Sequence, residues 1–199
     1  SPADVCLEEE GGFEINVRRI RQNPRITVLT QAEVQAVSGG PGAYTVKVHQ
    51  APRFVNEKCT ACGDCTAACT LEVDDEFNYG MSKRKAIAVP HDMAFPYKAH
   101  VVAGTETDAA LATAAEACTY GAVELDMQPV DHELTVGSVV YATGWKPYDA
   151  NNLDLLGFKD NADVITNVMM ERLAAPAGPT EGKILKPSNG EEVTSVAFV

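Results

Sequence analysis

Near the start of the chain, Ile15 and Ile20, with Val17 loosely between them, recur at helical intervals within residues 13–21, and Asn23-Pro24 closes what reads as a short helix. Alternation of apolar and polar positions then takes over. Arg25-Ile26-Thr27-Val28-Leu29-Thr30 predicts a strand, Ala32-Glu33-Val34-Gln35-Ala36-Val37 a second and Tyr44-Thr45-Val46-Lys47-Val48 a third. The glycine-rich stretch Ser38-Gly39-Gly40-Pro41-Gly42 lies between two strand patterns and opens no helix, so it predicts a hairpin turn ahead of a phosphate loop.

Pro52-Arg53-Phe54-Val55 predicts a short strand leading into a run of cysteines. Beyond Cys69 the periodicity fades. Tyr79-Gly80, Val89-Pro90 and Phe95-Pro96 break the chain and predict a long irregular stretch, of the kind that is functional or packs against something. Thr107-Asp108 then caps an alanine-rich helix through Leu111, Ala115 and Ala117 that delivers Cys118 at its end, with Gly121-Ala122-Val123-Glu124-Leu125 as a return strand. Val139-Val140-Tyr141 predicts an apolar strand stopped by Ala142-Thr143-Gly144. Residues 153–158 read as a turn, residues 164–173 as an amphipathic helix with Met169 and Met170 in packing roles, and Val193 as the start of a last, buried strand. Mixed helices and strands of this kind make an α/β (α+β) chain.

With 199 residues, 45% of them apolar, the chain can bury one ordinary core or two small ones. Its 16 basic against 28 acidic residues leave a net charge of −12, which argues against nucleic acid or an anionic membrane as a partner. The basic cluster Lys83-Arg84-Lys85 reads as a solvated loop ahead of a docking patch. No apolar run approaches the roughly 18 residues needed to span a bilayer, and no signal-peptide pattern opens the chain. A cytoplasmic protein is expected. Absence of an initiator Met, and a closing stretch that reads as half a strand, predict a piece of a longer polypeptide.

The chemistry is concentrated in Cys59, Cys62, Cys65 and Cys69, spaced C-x2-C-x2-C-x3-C. This spacing wraps a cubane iron–sulfur cluster in bacterial-type ferredoxins. Two-residue gaps let successive thiolates reach adjacent irons, and Ala61 and Gly63 let the backbone curl closely and aim N–H groups at sulfur. Structural zinc more often uses separated pairs, and disulfides need bridging geometry that close neighbours rarely reach. In two-cluster ferredoxins the fourth cysteine of each run serves the other cluster, and Glu116-Ala117-Cys118-Thr119-Tyr120-Gly121-Ala122-Val123 has the shape of a closing cysteine whose own leading three are missing. One cluster is therefore expected, on Cys59, Cys62, Cys65 and Cys118, with Cys69 as the alternative fourth ligand; Thr70 stands where proline usually follows. Cys6, His49, His91, His100 and His132 have no ligand-like spacing and read as packing or surface residues. The Ala142-Thr143-Gly144 turn suits either a close approach to a dinucleotide or an ordinary buried strand end.

Taken with the cysteine run, residues 13–16, 24–28, 77–81, 142–148, 164–166 and 182–188 resemble the A subunit of heterodisulfide reductases, most nearly its relative in the quinone-interacting membrane-bound oxidoreductase (Qmo) complexes of sulfur-metabolising bacteria. The likeness spans nearly the whole chain. It implies a thioredoxin-reductase-like FAD domain, residues 1–50 and 131–199, interrupted by a ferredoxin-like [4Fe-4S] domain at residues 51–130. By that resemblance Ala142, Thr143 and Gly144 approach FAD and Glu33 and Val34 present backbone to its adenine, while the G-x-G-x-x-G phosphate motif would lie before Ser1. It further implies electron relay between FAD and the cluster, and sister subunits that associate peripherally with the membrane without inserting this chain. Exchange with a quinone pool and adenylylsulfate reductase would follow. A stand-alone ferredoxin-like carrier and a structural zinc-binding interaction module are the competing readings.

Overall fold

The computed structural model describes residues 11–199; Cys6 falls outside them. Helix α1 (Gly11–Gln22) forms where the apolar spacing places it, with Arg19 and Arg21 in its last turn complementing the carbonyl end of the helix dipole. The strand expected over residues 25–30 does not form. Ile26 and Val28 are exposed and irregular, because among the described residues no strand offers this segment a ladder, and alternation without a partner leaves backbone groups to water.

Strands β1 (Ala32–Gly40) and β2 (Ala43–Gln50) make the expected antiparallel hairpin, with Gly39 facing Tyr44 and a bulge between Val34 and Ala36. After Gln50 the chain leaves this sheet. An isolated antiparallel bridge between Val55 and Val123 closes the base of the excursion, with Asn56 N–H donating to Ala122 O at 2.8 Å and Glu124 N–H to Phe54 O at 2.9 Å. Between these anchors lie helix α2 (Asp64–Ala68), strands β3 (Glu72–Asp74) and β4 (Lys83–Lys85), strands β5 (Ile87–Ala88) and β6 (His100–Val101), and helix α3 (Ala109–Glu116). The stretch after Cys69 is largely irregular, as expected, and within it lie two small antiparallel pairs that the pattern did not show, since strands of two or three residues are too short to display a period of two. The basic run sits in β4 opposite acidic residues: Lys83 faces and pairs with Asp74, and Lys85 with Glu72 at 2.9 Å. The two lysine charges are therefore matched within the hairpin, while Arg84 stands opposite Val73 and contacts His100.

Helix α3 begins where expected, Asp108 accepting the Ala110 N–H at 2.8 Å. The buried cluster at the centre of the excursion is built wholly from residues between Phe54 and Ala122, including Val55, Cys65, Cys69, Ile87, Val101 and Leu111. Helix α2 packs on α3 and β5. Strand β7 (Val130–Val136) then rejoins the first sheet along the free edge of β2, giving the order β1-β2-β7, with Val130 directly opposite Gln50. Exit and return are neighbours in one ladder.

Past β7 the structure departs from the apolar pattern. The expected strand at Val139-Val140-Tyr141 is absent, with Val140 86% exposed, and the buried strand expected from Val193 is reduced to an isolated Leu185–Glu192 bridge followed by an exposed Phe198. Such runs become strands when flanked by others, and among the described residues none forms more than that single bridge with them. Helix α4 (Asn167–Ala174) does form, its Thr166 hydroxyl accepting the Met169 N–H. Together with residues 145–165 and 184–199 it borders an open apolar groove. No helix among the described residues is long and apolar enough to cross a membrane.

Candidate metal centre

The Val55–Val123 bridge decides the site, because it lays the segment entering the cysteine run beside the segment leaving Cys118. From Asn56 the chain turns through Cys59 and takes left-handed backbone at Ala61, with φ of 58°, and at Gly63, with φ of 89°. Glycine bears that conformation without strain. These two turns start α2 immediately and place Cys65 in its first turn. On the other side α3 ends at Glu116, and Ala117 and Cys118 follow in a tight turn held by Cys118 N–H to Ala115 O at 3.1 Å.

Cys59, Cys62, Cys65 and Cys118 all line one partly open concavity. The rest of its wall is mostly small or apolar, with Val55, Val89, Ala99, Ala122 and Val123 inside and Tyr120 also contributing. Two of the four sulfurs already accept backbone N–H groups: Ala61 to Cys59 Sγ at 3.4 Å, and Ala122 to Cys118 Sγ at 3.3 Å. The Cys62 thiol, exposed, donates to Asp64 Oδ2 at 3.4 Å. Burial pushes the Cys65 thiol up; the Thr66 hydroxyl and N–H pull it back, and the neighbouring Cys118 and Cys59 add to the rise.

Cys69 is placed differently. It is 1% exposed, belongs to the hydrophobic cluster and directs its thiol to Leu71 O at 3.6 Å. It closes α2, its N–H bonding Cys65 O, and is not in the wall of the concavity. Among the described residues no three His, Cys, Asp or Glu side chains converge tightly enough for a single metal ion.

The four histidines lie elsewhere: His49 pairs with Asp131, His132 contacts Gln50, His91 stacks on Phe77, and His100 contacts Arg84. Glu33 and Val34 sit exposed on β1 in register with His49 and Val48, at the end of the sheet from which the excursion departs. Residues 142–144 are exposed and follow β7 from the opposite, hairpin end, where Val136 faces Tyr44. Neither stretch contributes to the cysteine concavity. The sequence pattern gives Asp75, Phe77, Asn78 and Arg172 no role. Asp75 and Asn78 are the buried polar side chains of the described chain, and Arg172 bonds to Asn78 across 94 positions of sequence. The signals present were the resemblance of residues 77–81 and an Asp followed by Asn and Ser at turn spacing, which is common.

No family model matches the chain. Curated relatives do. An iron–sulfur A subunit of CoB–CoM heterodisulfide reductase from Methanopyrus kandleri is 36% identical over 182 residues, covering 91% of this chain and 27% of that protein. The chain is similar to heterodisulfide reductase A subunits. The A subunit of the H(2):CoB-CoM heterodisulfide,ferredoxin reductase of Methanothermobacter marburgensis is 35% identical over 181 residues, 90% of this chain and 27% of its own length. The A subunit of the ferredoxin/F(420)H(2)-dependent CoB-CoM heterodisulfide reductase of Methanosarcina acetivorans is 36% identical over 182 residues, again 90% of this chain but 23% of that protein. These relatives are oxidoreductase subunits by name, and the chain spans about a quarter of their length.

Proposed function

We propose that this chain carries the iron–sulfur site of a heterodisulfide-reductase-A-like electron-transfer subunit, with Cys59, Cys62, Cys65 and Cys118 as ligands of a [4Fe-4S] cluster. The observation that carries the reading is the four-thiol wall of a single concavity, from which Cys69 is turned away. The donor set is all thiol, which suits iron–sulfur chemistry. Such a cluster supplies one-electron transfer, and beside a flavin it lets electrons pass singly or in pairs. The chain's own part is to hold and tune. The Ala61 and Ala122 N–H groups partly neutralise sulfur charge, and the apolar wall of Val55, Val89 and Val123 limits water around the thiolates.

The Gln50–Val130 register supports treating residues 51–130 as an insert; the proposal that the insert is ferredoxin-like, that it interrupts a thioredoxin-reductase-like FAD domain, and that Glu33, Val34, Ala142, Thr143 and Gly144 contribute to an FAD site rests on the sequence resemblance. Sister subunits of a membrane-associated complex are the proposed partners. The Qmo-type setting, with a quinone pool and adenylylsulfate reductase, rests on the sequence motifs alone. A stand-alone carrier is favoured by one feature, the confinement of the buried cluster to residues 54–122; similarity to the relatives over nine-tenths of the chain weighs against it.

Anaerobic loading with iron and sulfide tests the site. About four irons per chain and a visible chromophore are expected, lost in Cys118→Ala and kept in Cys69→Ala. The reverse pattern would move the fourth ligand to Cys69, and one zinc per colourless chain would replace the proposal with the structural-zinc reading.

A further inference from the structure

Arg172 joins α4 to the excursion through two contacts and ties the loop after α4 through a third. Its Nε–H donates to Asn78 Oδ1 at 2.9 Å, its guanidinium carbon lies 4.5 Å from the centre of the Phe77 ring, and its Nη2 donates to Ala177 O at 3.3 Å. Asn78 is nearly buried and commits its amide group to Asp75 Oδ2 at 2.8 Å and Ser82 Oγ at 3.1 Å. Asp75 follows directly on β3, and β3 follows directly on Leu71, whose carbonyl accepts both the Cys69 thiol and the Ala86 N–H. Cys69 in turn closes the helix that carries Cys65. A continuous set of hydrogen bonds and short backbone segments thus runs from the cysteine concavity to Arg172. On the same helix Met170 and Leu173 line the apolar groove, together with Trp145 and Leu185. One short helix therefore bears on the excursion through Arg172 and on the groove through Met170 and Leu173.

We infer that Arg172 is a positioning residue that makes the placement of α4, and with it one wall of the groove, depend on loading of the cysteine site. This inference rests on the cluster assignment above. Ligation orders the run that supplies the thiolates, because metal binding and local folding share one free energy. Order in α2 and β3 fixes Asp75 and Asn78, and a fixed Asn78 presents its carbonyl to Arg172. The coupling is reciprocal by linkage: whatever factor loading contributes to docking of α4, docking returns to retention of iron. Arginine suits the role, since its planar head stacks on Phe77 and donates in a fixed direction, which lysine cannot do together.

Hydrogen exchange by mass spectrometry on the full chain, before and after anaerobic loading with iron and sulfide, tests this with iron content read separately. Loading is expected to slow exchange severalfold both in residues 59–69 and in α4. In Arg172→Met the slowing in residues 59–69 persists, the slowing in α4 disappears, and iron is released faster to a chelator. Arg172→Lys restores only part of either effect. Phe77→Leu, which keeps the hydrogen bond and removes the ring, serves as the milder second variant and gives an intermediate loss. Equal slowing of α4 in the parent and both arginine variants would overturn the inference, as would unaltered α4 exchange in a parent whose cysteine run is protected. A parent chain that takes up no iron would remove the cluster assignment together with it.

Discussion

A methyl group on Gly39 would sit 2.3 Å from Ala43 O, on backbone with φ of +93°, whereas Gly42, at +86°, has open space around it. Both substitutions meet the left-handed penalty, but only the first also collides with backbone. Gly42→Ala is expected to cost about 1 kcal/mol and Gly39→Ala clearly more; equal urea midpoints for the two would show that the hairpin absorbs the clash. Cys69 permits a second prediction at this scale. Because its buried thiol packs in the hydrophobic cluster, Cys69→Ala is expected to lower stability by about 1 kcal/mol while leaving iron content unchanged. Denaturation with metal analysis of the same sample separates the two effects. The sequence favoured Cys118 over Cys69 through its likeness to a closing cysteine and through Thr70, but it left Cys69 open, since spacing counts residues and says nothing of which side of α2 a thiol lies on.

Helix α3 carries both packing and chemistry. Leu111 is fully buried in the excursion, and the helix end aims Cys118 at the concavity. Leu111→Ala is expected to cost about 2–5 kcal/mol, and to weaken iron retention because the helix that positions one thiol loses its anchor. Asp108→Ala removes only the cap and is expected to cost about 1 kcal/mol. Should Leu111→Ala bind iron as tightly as the parent, α3 would not be what positions Cys118. The alanine pattern and Asp108 made this helix legible in advance. By contrast, the pairs β3–β4 and β5–β6 were invisible, since their few residues are held by a partner's ladder and by burial of Ile87 and Val101, not by any local period.

For the molecule as a whole, acid is the sensitive direction. Burial pushes His100 down, and the Arg84 guanidinium beside it adds to this, while the Ala88 backbone and Glu76 pull partly back. The unfolded chain therefore takes up a proton near the ordinary histidine value of about 6.5, before the folded chain does. Stability from this group is present above about 6.5 and falls as pH drops from there toward the lower folded value. Glu57, held down chiefly by its hydrogen bond to Lys98 and helped by Arg53, loses its contribution further into the acid range, and its exposure keeps that contribution small. Urea midpoints are expected to decline between about pH 6.5 and 5, and His100→Gln to flatten that decline; an unchanged slope in the variant would assign the acid sensitivity elsewhere.

Local features followed from the residue pattern alone: the hairpin from its glycine turn, α1 and α3 from apolar spacing and, for α3, a cap, and the thiol chemistry from two-residue gaps that admit few other uses. Relations between distant segments came only with the folded chain. The Val55–Val123 bridge carries Cys118 to the cysteine run, Gln50 and Val130 close the excursion on a single ladder, and Arg172 reaches Asn78. The apolar stretches after β7 mark the same boundary from the other side. Their composition describes strands, but a strand is a property of a pair, and hydrogen bonds between segments cannot be read from either segment alone.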